Sequence, residues 1–184
     1  MAAACAATAV AVVALSSGTL VADAPPPQSH GRESALALPI ASALGAGFIS
    51  AAVWTFGPTA VVARGALEPD QVGFLWTALG LGGLAGAFID RLVSRRGPAT
   101  TFVLCTTALV VGSIAVLAPS HGGAMWSLLR AACFGAAYMA MSGVLILRGR
   151  LVDPRRGAAN TAWLFIALAV GQATGAQALG NLLT

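Results

Sequence analysis

Residues 86–97 read GAFIDRLVSRRG, and Asp90, Arg91, Arg95 and Arg96 fall within seven positions of an otherwise strongly apolar chain. Gly86 precedes the acid by four residues. One carboxylate among three guanidiniums performs no bond-breaking chemistry. It can satisfy backbone N–H groups at a helix end, pair with neighbouring cations, or do both. The acid is the telling residue, because a loop that only sets orientation needs basic residues and no Asp. Four more residues stand out inside apolar runs. Arg130 is the one charge well inside such a run. It either snorkels toward the nearer end or faces a cavity that receives an anionic group. Gln172, Tyr138 and Trp54 are candidates for the same cavity. Their alternative roles are helix-to-helix hydrogen bonding for the amide, and packing or an interfacial aromatic belt for the rings.

Little else suggests chemistry. No Ser-His-Asp set, phosphate-binding Gly loop or carboxylate pair within an apolar run occurs. His30 and His121 lie in short polar gaps without partners, and Cys5, Cys105 and Cys133 lie in apolar runs without metal spacing. The cysteines read as small packing residues. The chain is therefore read as a non-enzyme with no metal and no cofactor.

The elements that position these residues follow from composition. Of 184 residues, 58% are hydrophobic and 9% charged, where a soluble domain carries about a quarter charged residues. No water-soluble core of this length buries so much apolar surface, so the chain is read as an integral membrane protein. Strands are excluded, because the alternating polarity of a closed barrel is absent. The expected fold is an all-α, polytopic transmembrane helix bundle of about six spans in one membrane domain. The spans fall at residues 2–22, 35–60, 71–89, 99–118, 124–147 and 158–180, with 23–34 as a connector. Each is about the length that crosses a bilayer core.

The gaps set direction. Counting Arg alone, the five gaps hold 1, 1, 3, 0 and 4 residues. The rich gaps are the third and fifth, which share a side with the first. The positive-inside rule puts that side in the cytoplasm. The net charge of +4 thus sets orientation and does not form a nucleic-acid patch. Ala22-Asp23-Ala24 has the form of a signal-peptidase site, but nothing before Asp23 is basic. Cleavage there would also put residues 25–33 on the wrong side. The first span then runs inward and Met1 lies outside, an uncommon place for a natural start. The chain is expected to begin partway through a longer protein.

The pattern Gly86-x-x-x-Asp90-Arg91-x-Val93-x-Arg95-Arg96 resembles the loop signature of the major facilitator superfamily. That signature reads Gly, three residues, Asp, a basic residue, any, Gly, any, and two basic residues. The departure is Val93, where the family usually has Gly. Residues 55–91 also resemble the helix 7 to helix 8 region of bacterial members. Residues 171–183, GQATGAQALGNLL, resemble the small-residue end of helix 11 without its frequent Pro. The resemblance covers most of the chain and implies helices 6 to 11, with 23–34 as the central cytoplasmic linker.

What the resemblance implies is a secondary transporter that moves a small solute by alternating access. It implies a cytoplasmic gating loop of Gly86, Asp90, Arg91, Arg95 and Arg96, and solute contacts drawn from Arg130, Gln172, Tyr138 and Trp54. The expected location is the bacterial inner membrane. The expected partners are membrane lipid, a small-molecule solute, and an N-terminal half or another copy of the chain, with no nucleic acid. The alternative is a small helical membrane scaffold whose Gly-rich faces bind other helices and carry no solute.

Overall fold

The computed structural model describes residues 32–119 and 122–183. The expected span 2–22, most of the 23–34 connector, Cys5, His30 and His121 lie outside the described residues. Within them the chain is an all-α bundle without strands. Helix α1 covers Arg32–Ala63, α2 Val72–Gly83, α3 Ile89–Leu117, α4 Gly123–Val152 and α5 Gly157–Leu183. A 3-10 turn, Pro69–Gln71, leads into α2, and a second, Leu84–Phe88, joins α2 to α3. A third, Pro154–Arg156, joins α4 to α5, with the Asp153 carboxylate accepting the Arg155 N–H at 3.0 Å. Five helical stretches are long and apolar enough to cross a membrane: Leu36–Ala63, Pro69–Pro98, Thr100–Leu117, Gly123–Val152 and Pro154–Leu182. In lipid every backbone group must be satisfied within the segment, and helices do this.

The break after the second described span falls later than the sequence suggests. Helical geometry does not stop at Ile89 but passes Asp90 and the arginines, and the rod turns at Gly97. Charges end a lipid-soluble stretch without ending a helix. What ends this one is Gly97 at φ 79° and ψ 159°, followed by Pro98. Only glycine enters that region at low cost, and a proline disfavours helical geometry in the residue before it. The same logic carries α4 past Arg148 and Arg150 to Val152.

Antiparallel neighbours give the bundle two ends. At one, the Arg148 guanidinium lies 4.1 Å over the Phe102 ring, which places the Gly97 turn beside residues 148–156. At the other, Arg64 and Arg130 meet the last carbonyls of α3. The two Arg-rich gaps therefore share an end. Between the ends, Phe102, Leu109, Phe134, Met141, Val144, Leu145 and Leu164 form a solvent-free core. Phe74, Leu81, Leu84 and Phe88 point outward from the α2–α3 rod, as lipid-facing residues do.

Backbones approach most closely at glycines. A Cβ on Gly47 would overlap the Leu168 carbonyl, and one on Gly171 would overlap the Leu44 carbonyl, so α1 and α5 each present a glycine to the other's backbone. Gly82 and Gly135 do the same between α2 and α4, against Ala132 and Leu79. In lipid, where apolar burial does not drive helices together, such approach and its dispersion contacts do. Buried hydroxyls stay within their own helices: Thr106 donates to Phe102 O at 2.9 Å and Ser113 to Leu109 O at 2.8 Å.

Gly171→Val should destabilise the bundle by about 1–3 kcal/mol, because the added atoms meet backbone that cannot yield. Gly180→Ala, whose Cβ meets nothing within 4 Å, should leave stability unchanged. Thermal unfolding in detergent compares the two. With the native cysteines replaced by serine, Arg95→Cys and Arg155→Cys should both react with a membrane-impermeant maleimide from the cytoplasmic side alone. Glu68→Cys should react from the opposite side.

Candidate functional site

Near the middle of α4, Tyr138 receives a hydrogen bond from Gln172 Nε2 of α5 at 3.1 Å. The same nitrogen donates to Ser50 Oγ of α1 at 3.3 Å. Ser50 in turn donates to Gly47 O, one residue of the α1–α5 glycine contact, at 2.9 Å. One amide thus ties three helices together and spends both of its protons. Rings cover this centre. Trp54 of α1 stacks on Trp76 of α2 at 5.6 Å and 13°. It meets Tyr138 edge-on at 5.3 Å and Phe134 at 6.2 Å. Phe134 stacks on Tyr138 at 6.0 Å. Trp54 Nε1 is buried and donates to no partner. An unsatisfied N–H in a dry interior is costly. Trp54, Tyr138 and Gln172 are half-buried and Trp76 is exposed at the rim.

Three of the four expected solute residues are therefore brought together, and Arg130 is not among them. Its Nη1 donates to Ala115 O at 2.9 Å and Ala118 O at 3.1 Å at the end of α3, with the guanidinium 5.5 Å from the Trp126 ring. Arg64 joins it there, giving Nη1 to Val116 O at 3.1 Å and Ala118 O at 2.9 Å, and Nη2 to Leu117 O. These are the carbonyls a helix leaves without internal partners, at the negative end of its dipole. Partial burial and the neighbouring Arg130 charge lower the Arg64 pKa, and the group stays cationic at neutral pH. Arg130 lies two helical turns from Tyr138, about 12 Å along the axis.

The charged loop residues run toward the Gly97 turn at the other end, while Gly86 lies deeper, level with Met139. Gly86 is buried, and a Cβ there would lie 2.6 Å from Met139 Cβ. Asp90, Arg91, Arg95 and Arg96 are exposed. No hydrogen bond or ion pair forms from their side chains among the described residues. Sequence reasoning missed Ser50, Trp76, Phe134 and Arg64. Ser50 and Phe134 carry no signal in an apolar run. Arg64 had one, as the lone base beside a helix end.

A model of the family described as "Uncharacterised MFS-type transporter YbfB" matches residues 1–184. The chain belongs to this family of the major facilitator superfamily. No curated protein and no solved structure matches it. This major facilitator chain is thus a multi-pass membrane protein of a transporter family. The arginines of its loop signature lead into the Gly97 turn, at the same end as Arg148 and the turn that follows α4.

Arg64→Met and Arg130→Met should each cost about 1–2 kcal/mol of stability. Ala118 O receives a hydrogen bond from both arginines, so the double variant should lose more than the sum of the singles. A double-mutant cycle on unfolding in detergent reads that excess.

Proposed function

We propose that the chain is part of a secondary transporter that moves a small solute across the bacterial inner membrane by alternating access. The centre of the solute path is the Trp54–Tyr138–Gln172 cluster. The observation that carries this reading is the unpartnered Trp54 N–H beside Gln172 and Tyr138, near mid-membrane, where transporter sites occur. Polar groups are expensive at that depth, and a solute makes use of them. Helix pairs joined by glycines can slide against each other without unpacking large side chains.

The Gly86–Arg96 loop supplies the switch. Asp90 and the arginines at 91, 95 and 96 pair with helix ends or opposite charges across the seam in one state and are solvated in the other. An N-terminal half or another copy of the chain completes the path.

Reconstituted in liposomes, the chain with that complement should take up solute, and Gln172→Ala should lower uptake about tenfold, as for a lost polar contact and its broken neighbours. Asp90→Asn should slow uptake while leaving solute binding unchanged. Absence of flux with specific helix binding retained would favour the scaffold reading.

A further inference from the structure

The polar inventory of the central cluster is unbalanced, and the imbalance selects a solute. Gln172 Nε2 gives one proton to Tyr138 and one to Ser50. Tyr138 Oη accepts from Gln172, so its own proton points elsewhere and meets no acceptor among the described residues. Trp54 Nε1–H is buried and also unpaired. Two donors therefore have no acceptor, while Gln172 Oε1 is the one side-chain carbonyl oxygen of the cluster. Donors without acceptors call for a solute that brings oxygen lone pairs.

The site is poorly made for a cation. Among the described residues, Glu33, Glu68 and Asp153 lie at helix ends, Asp70 and Asp90 lie within the Pro69–Pro98 stretch but are exposed, and the hydrogen bonds of Gln172 and Tyr138 in the cluster run between uncharged groups. Ring faces that could hold a cation are turned on one another, Trp54 against Trp76 and Phe134 against Tyr138. A cation cage needs those faces open. Stacked rings that part slightly instead accept a further flat ring between or beside them.

We infer that the solute is a flat, unsaturated molecule bearing a carbonyl or carboxylate oxygen that Trp54 Nε1–H and Tyr138 O–H both reach. This rests on the cluster being the solute site, as proposed above. The shared feature is the acceptor oxygen on a planar body, whether the group is neutral or anionic.

The test uses the full chain in lipid nanodiscs with empty nanodiscs as reference, followed by saturation-transfer NMR. Three probes share one ring: benzamide, benzoate and benzyltrimethylammonium. Benzamide or benzoate should bind saturably, and which of them binds tells a neutral from an anionic solute. Trp54→Phe and Tyr138→Phe keep the rings and remove one donor each, and each should weaken that binding about fivefold. Circular dichroism confirms that both variants retain their helices. Benzyltrimethylammonium binding as tightly as the better acceptor probe would overturn the inference, as would unchanged binding in both Phe variants or no saturable acceptor probe at all. Gln172→Ala separates the two levels. If it weakens the binding of any probe, the site stands and only the solute class is at stake. If a saturable probe is indifferent to it and to both Phe variants, the site itself is misplaced.

Discussion

Carbonyl oxygens of one helix lie against glycine Cα atoms of another, at Gly47 and Gly171 between α1 and α5 and at Gly82 and Gly135 between α2 and α4. A single methyl at any of these positions would collide with backbone. In water, helices come together because apolar side chains leave the solvent. In lipid that gain is absent, and surface matching takes its place. The four glycines set the distance at which the helices run, and every side-chain contact between them follows from that distance. The Ser50–Gln172–Tyr138 bonds are an example. Ser50 donates to Gly47 O, and Gln172 follows Gly171 in sequence, so the amide reaches Ser50 and Tyr138 because its helix lies so close to α1.

Polar satisfaction is the second demand of the bilayer, and the ends of the rods meet it in different ways. At the Arg64–Arg130 end, two cations that would repel in isolation bind the four carbonyls Ala115 to Ala118 at the end of α3 and share that of Ala118. The carbonyls are partial negative charges, and they hold the pair together. At the Gly97 end, Asp153 and the 3-10 turn close α4 onto α5, and Asn160 Nδ2 donates to Gly149 O at 3.1 Å. One end is braced by side chains from two helices on a third. The other keeps Asp90, Arg91, Arg95 and Arg96 exposed.

The central cluster stands apart from both. Its Trp54 N–H without a partner is the kind of cost a folded protein removes unless the group has other work. The cluster joins an amide, a phenol and stacked indoles, and its described contacts are hydrogen bonds and ring surfaces.

Membrane residence, helical class, the Arg-rich end and the family were all legible in the 184 letters. Hydropathy over about 20 residues, the count of Arg per gap and the spacing Gly86–Asp90–Arg95 are local quantities, and lipid reads them locally. The spacings Gly82-x-x-x-Gly86 and Gly171-x-x-x-Gly175 stand in the sequence, but their partners on α4 and α1 do not. Nor was the turn at Gly97, which the charges at 90–96 place earlier when read as a helix end. Arg130 read equally as a solute ligand or a snorkelling residue. Only the approach of α3's last carbonyls turned it into a cap. Which side chains share a site depends on helix rotation and depth, and these are set by contacts between segments far apart in the chain. Composition decided the solvent this protein lives in; packing across three helices decided that Ser50, Trp54, Tyr138 and Gln172 would meet.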